Sequence, residues 1–118
     1  MDLSIGNMME MQKALHDLHK HEWYPLEPEY GKDTVLFMIE EIGEVIAILK
    51  KKGTDAVMKD TMVRQAFLEE MADILMYYQD VLLRYHVTAD EISEAFARKH
   101  ARNMGRNYTA EYMEKNYG

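Results

Sequence analysis

The two prolines of this 118-residue chain, Pro25 and Pro28, stand in one short segment, and only 6 glycines punctuate the rest. Long stretches without a helix breaker, rich in Met, Leu, Glu, Lys and Ala, favour helix. No apolar–polar alternation bounded by turn pairs marks a hairpin, and no internal repeat is visible. The expected fold is therefore all-α, a bundle of about four to five helices, and the length suits a single domain spanning 1–118.

The first helix is expected from about Gly6 to His21, with Met8, Met11, Leu15 and Leu18 at helical spacing. Trp23 to Gly31, which holds both prolines, reads as a loop. Asp33 or Thr34 is expected to cap a second helix running to about Lys52, where three lysines and then Gly53 fit a helix end. A third helix lies within Asp55–His86, with a break near Asp60-Thr61 and room for a short extra helix before it. Thr88-Ala-Asp-Glu91 has the form of a capping box opening a fourth helix to about Met104. Gly105 ends it, and 107–118 is a polar tail with Tyr108, Tyr112 and Tyr117, expected to be a flexible segment.

On the second helix Val35, Ile39, Ile42, Ile46 and Leu49 step by four and three, the pattern of a bundle seam. Glu44 points roughly opposite that seam and Glu41 about 60° from Glu44. Their stripe also carries Phe37 and Ile48, too apolar for a purely solvated face. The third helix repeats the arrangement: Glu70 and Asp73 share a face with Val63, Ala66, Ile74, Tyr77 and Val81. Acidic pairs on helices are often solvated faces or members of ion pairs. Carboxylates on partly buried apolar faces are costly unless paired or coordinated, and the nearest basic residues are Arg64 and Arg84. A divalent cation would resolve the conflict. All-oxygen ligands suit Mg²⁺, Mn²⁺ or Ca²⁺ over zinc or copper, and Mg²⁺ in particular takes a few carboxylates and completes its shell with water and phosphate oxygens.

The fourth helix closes on a basic run, in which Lys99, Asn103 and Arg106 lie on one face. That set either holds phosphate oxygens or is a favourable placement of cations at a helix C-terminus.

With Glu40-Glu41-Ile-Gly-Glu44, then Glu70-Met-Ala-Asp73, then Lys99, Asn103 and Arg106 in that order, the chain resembles the all-α nucleotide pyrophosphohydrolases, the superfamily of MazG and the dimeric dUTPases. The match spans about Trp23 to Tyr108. The resemblance implies a MazG-like bundle assembled as a homodimer or homotetramer, with its site between the second and third helices. It implies Mg²⁺-dependent cleavage of the α–β phosphoanhydride of a nucleoside triphosphate, a step suited to house-cleaning of non-canonical nucleotides. Glu41, Glu44, Glu70 and Asp73 would be the metal ligands and Lys99, Asn103 and Arg106 the phosphate contacts. Glu40 would orient or deprotonate the attacking water, with Glu41 the other catalytic acid. His19, His21 and Trp23, just before the proline loop, are candidates for stacking on the base, while Tyr24 reads more as a loop anchor.

The remaining composition excludes other classes. A net charge of -7 argues against a grip on a nucleic-acid backbone. The absence of Cys excludes disulfides, zinc knuckles and thiol nucleophiles. His16 and His19 share a face but have no Cys or Glu-x-x-His partner, which argues against zinc and against a di-iron bundle. No secretory signal and no membrane span is visible, so a cytoplasmic protein without membrane contact is expected. The contender from another class is a catalytically silent helical oligomer serving as an interaction or regulatory module.

Overall fold

A computed structural model of the chain describes residues 1–117, the side chains of Tyr108 and Tyr117 excepted. It is all-α: the helices are α1 (Ile5–Leu18), α2 (Gly31–Lys52), α3 (Thr54–Lys59), α4 (Thr61–Arg84), α5 (Ala89–Met104) and α6 (Tyr108–Tyr117). No strand occurs among the described residues, and no described helix is long and apolar enough to cross a membrane. The chain forms two compact units, Met1–Thr88 and Ala89–Gly118.

Local chemistry sets the helix ends. Ser4 and Asn7 form a reciprocal capping box: Ser4 Oγ accepts from the Asn7 amide at 3.0 Å and Asn7 Oδ1 accepts from the Ser4 amide at 3.2 Å. This starts α1 one residue before the expected Gly6, and the helix ends at Leu18, short of His21. A 3₁₀ turn, Pro28–Tyr30, runs straight into α2, so the helix begins at Gly31 without a side-chain cap. Thr34 is therefore inside the helix, where its hydroxyl donates to the Tyr30 carbonyl at 3.0 Å. The expected break at Asp60 is present. Asp60 Oδ1 accepts from the amides of Met62 (3.0 Å) and Val63 (3.2 Å), capping α4, and the short α3 fills the spacer before it. In the second unit α5 begins where the capping-box sequence places it. Within the polar tail, Asn107 Oδ1 accepts from the Ala110 amide at 3.0 Å and starts α6.

The main packing in the first unit is α2 against α4, with α1 and α3 laid on α4. The two long helices run antiparallel: Phe37 meets Tyr77, with ring centroids 6.3 Å apart, and Gly31 lies under the Tyr85 ring beyond the end of α4. The line α2 turns inward is Gly31, Thr34, Met38, Glu41, Val45 and Ile48, all buried or half-buried at steps of three and four. The matching line on α4 is Val63, Phe67, Glu70, Ile74, Tyr77 and Val81.

This corrects the expected seam. Ile39 (54% exposed), Ile42, Ile46 (51%) and Leu49 face away from the chain's own core. The most apolar stripe need not face the chain itself; here the mixed stripe does, because Gly31 and Thr34 are small enough for close approach. On α1 the inward face is Met9, Gln12 and His16, and the expected Met11 and Leu18 are exposed. Among the described residues the buried hydrophobic ones are few, namely Met9, Val45, Val57 and Leu82, and the buried polar ones, Gln12, His16, Thr34, Gln79, Asp80 and Arg84, outnumber them.

Gly53, between α2 and α3, has φ 84° and ψ 160°, a region open essentially to glycine alone. Gly53→Ala is expected to cost about 1–3 kcal/mol, read as a lower urea midpoint with an unchanged m-value.

A candidate metal centre beside an aromatic cavity

Because Glu41 stands on the inward line of α2 and Glu70 on that of α4, packing the two helices brings them face to face. Asp73 joins from one turn further along α4. One carboxylate oxygen of each lies within 4.8 Å of the other two. Glu41 is held above the usual carboxylate range, first by the hydrogen bond with the Glu70 side chain, then by burial, then by the charges of Glu70, Asp73 and Glu44. All of those charges are negative. The Glu41 carboxyl is therefore harder to ionise than an ordinary one.

The all-oxygen donor set fits a hard divalent ion. Glu41, Glu70 and Asp73 would hold it, and a cation there would relieve the repulsion among the three carboxylates. Glu44 is exposed one turn along α2, outside the three-carboxylate group, yet close enough for its charge to act on Glu41. Glu40 is exposed and its charge reaches the Tyr77 hydroxyl.

A cavity of about 530 Å³ opens beside this cluster. Glu41 and Asp73 form part of its wall; Trp23, Tyr24, Phe37 and Tyr77 give it flat aromatic sides; Gln12, Thr34, Asp80 and Arg84 add polar groups. The Tyr77 phenol is pushed up, by burial first and then by the charges of Glu41, Asp73, Asp80 and Glu40. It therefore stays a hydrogen-bond donor at the cavity wall.

The loop carrying Trp23 and Tyr24 is pinned from two helices. His16 Nε2 lies 2.6 Å from the Tyr24 carbonyl oxygen and must carry the proton there, since a carbonyl only accepts. Arg84 Nη1 donates to the carbonyls of Tyr24 (3.3 Å) and Pro25 (2.6 Å), while its Nε donates to Asp80 Oδ2 at 3.1 Å. Trp23 stacks on His19 (4.7 Å, 26°) and meets His16 edge-on. Tyr24 stacks on Tyr30 (4.7 Å, 6°).

Of the three expected base contacts, only Trp23 lines the cavity; His19 backs its ring, and His21 is exposed outside the lining. Tyr24, expected as an anchor, both anchors and lines. The basic residues belong to the second unit. There Arg106 Nη1 donates to Asn103 Oδ1 at 3.2 Å, and its Nε and Nη2 grip the Glu111 carboxylate at 2.7–3.0 Å. That guanidinium holds the Glu111 carboxyl below its ordinary value. Lys99 is exposed on α5.

Sequence reasoning missed Gln12, Asp80 and Arg84 as parts of the site. The signal for two of them was present: Glu70, Asp73, Tyr77, Asp80 and Arg84 step by three and four along one face of α4. Gln12 carries no such signal, because it reaches the cavity from another helix.

A cation entering this cluster competes with protonation of Glu41, whose carboxyl ionises less readily than usual. Below the raised Glu41 value the proton competes; above it both carboxylates are free. Mn²⁺ affinity should therefore rise with pH from mildly acid to neutral, with proton release visible when calorimetry is repeated in buffers of different ionisation enthalpy. In the metal-free protein the sign is opposite: the folded state holds a proton the unfolded state has lost, so stability falls as pH rises from the ordinary carboxylate value through the raised one. Chemical denaturation across that window checks it. Comparison with protein-family models, with curated proteins and with solved structures finds no match, so the chemistry of the site rests on its own residues.

Proposed function

We propose that the chain is a Mg²⁺-dependent nucleoside triphosphate pyrophosphohydrolase, converting a nucleoside triphosphate and water to the monophosphate and pyrophosphate. One observation carries the reading: three convergent carboxylates, Glu41, Glu70 and Asp73, adjoin a cavity with aromatic walls. A carboxylate cluster suits the metal-bound polyphosphate, and the rings suit a planar base. The ordered motifs shared with the MazG-like pyrophosphohydrolases support the same assignment.

Phosphoryl transfer asks a protein chiefly for positioning and charge stabilisation. Bound at the three carboxylates, Mg²⁺ supplies the positive charge that the phosphate oxygens require. Glu44, exposed beside Glu41, extends the acidic set toward solvent. Glu40 is the proposed acceptor for the proton of the attacking water. Tyr77 donates a hydrogen bond at the cavity wall, and Trp23, steadied by His19, stacks on the base.

The reading includes a homo-oligomer. Ile39, Ile42, Ile46 and Leu49 on α2 and Leu68, Met71, Leu75 and Tyr78 on α4 form two exposed apolar lines. Each is turned roughly 100° from its helix's inward line in the same rotational sense. Equal rotations on antiparallel helices bring both lines to one side of the pair, making one apolar strip. A strip of that size calls for a partner surface, and a second copy of the same helix pair would pack on it as a four-helix bundle.

Pyrophosphate release from a panel of ordinary and modified nucleoside triphosphates tests the activity. Mg²⁺ should support turnover and EDTA abolish it, and Glu41→Gln or Asp73→Asn should lower kcat/KM at least about 100-fold with the helical circular dichroism intact. If every substrate is inert with both Mg²⁺ and Mn²⁺, the enzyme reading fails and the helical interaction module remains. The assembly is tested separately: Ile46→Lys should shift the mass in light scattering from oligomer to single chain.

A further inference from the structure

Two of the aromatic walls of the cavity are not held by burial. Trp23 is 40% exposed and Tyr24 56%, and each ring has a stacking partner, His19 or Tyr30, on one side only. Their backbone is held instead, by side chains that are among the most buried in the first unit. Arg84, the last residue of α4, is 5% exposed, and its Nη1 donates to the carbonyls of Tyr24 at 3.3 Å and Pro25 at 2.6 Å. His16, 7% exposed, donates to the same Tyr24 carbonyl from α1 at 2.6 Å. Asp80 Oδ2 accepts from Arg84 Nε at 3.1 Å, while its Oδ1 is too buried for a ligand to reach. A buried ion pair adds little to stability compared with apolar residues of similar volume. What a guanidinium does offer is a rigid fork, here spanning one carboxylate and two carbonyls. The carboxylate cluster stands apart from it, since Asp73 precedes Arg84 by about 16 Å along α4.

We infer that Arg84 is a positioning residue for the base: by holding the Tyr24 and Pro25 carbonyls it sets the Trp23 and Tyr24 rings where a planar heterocycle lies against them. His16 is the second hold on the same carbonyl. It is not part of the cavity lining, so its effect on a ligand passes through the loop. Asp80 acts through Arg84, by fixing the plane of the guanidinium. The cavity thus has two separable parts. The carboxylates take the metal-bound phosphates, and the clasp of Arg84 and His16 sets the affinity for the base. The clasp therefore decides whether the site prefers a nucleotide to a base-free polyphosphate. The assignment rests on the nucleotide reading of the site but not on hydrolysis.

The test uses the full chain with Mg²⁺ and calorimetry of ligands that resist hydrolysis. The probes are the α,β-methylene diphosphates of adenosine, guanosine, cytidine and uridine, with methylenediphosphonate as the base-free control. The native protein should bind at least one of the four about 10-fold tighter than the control, as a base stacked on aromatic side chains gives. Arg84→Lys keeps a positive charge beside Asp80 but loses the fork. It should lose most of that preference, with the affinity for methylenediphosphonate changed less than about 2-fold. His16→Leu should weaken the same nucleotide about 5-fold, the size of one hydrogen bond. His16→Gln, whose amide still donates to the Tyr24 carbonyl, should restore it. A merely structural defect would move nucleotide and control together. The proposal is overturned by a folded Arg84→Lys that keeps the native preference or weakens the control as much as the nucleotide. It is overturned equally by His16→Gln and His16→Leu behaving alike, and where Arg84→Lys does not fold, that pair decides alone. The two readings fail separately: a native preference that survives in the variants removes the role of Arg84, whereas no preference in the native protein removes the nucleotide reading and this role with it.

Discussion

The contact between Glu41 and Glu70 across the α2–α4 seam is the constraint from which the rest of the site follows. Two helices are held together by an apolar seam, and in the middle of that seam stand carboxyl groups that repel one another as anions. The Glu41 carboxyl is accordingly harder to ionise than an ordinary carboxylate. The price is a pair whose ionisation opposes folding; the gain is a preformed oxygen cluster at fixed spacing. Few other arrangements satisfy both demands, and a hard divalent cation is the ligand that turns the repulsion into attraction.

Around that cluster a buried polar network fixes the geometry of the first unit. Arg84 and Asp80 form a buried pair whose guanidinium also holds two carbonyls of the proline loop. His16 grips one of the same carbonyls from α1. The Tyr24 carbonyl takes its donors from these two side chains, while that of Pro25 also accepts from the Glu27 amide at 2.8 Å. The consequence reaches the cavity, since the same pins set where Trp23 and Tyr24 stand. Buried ion pairs are poor contributors to net stability but costly to break singly, which suits a role in holding one geometry.

Much of this was legible before any tertiary contact was known. Helix was favoured by scarce breakers, the α3–α4 break by Asp60, and the acidic faces by Glu41, Glu70 and Asp73 sharing stripes with apolar residues. The facing direction of α2 was not. Val35, Ile39, Ile42, Ile46 and Leu49 look like the seam by hydrophobicity, yet four of them face outward, because periodicity shows that a face is buried by something without showing whose surface buries it. The loss of His21 from the cavity wall has a similar cause: its distance from Trp23 along the chain says nothing of how the loop folds back once Arg84 and His16 hold it.

The sequence alone determined the helices up to Met104, their breaks, and which acids share a face, since these depend on local capping chemistry and helical spacing; helix α6, in the segment expected to be flexible, it did not. It also supplied the face of α4 on which Asp73, Tyr77, Asp80 and Arg84 follow one another. Only the tertiary structure decided that Glu41 meets Glu70 and Asp73 in one cluster, that Trp23 but not His21 lines the cavity, and that one Asp80 oxygen is buried without a partner among the described residues. Those outcomes depend on contacts between residues far apart in the chain, and their energy comes from desolvation and charge, which no local pattern records.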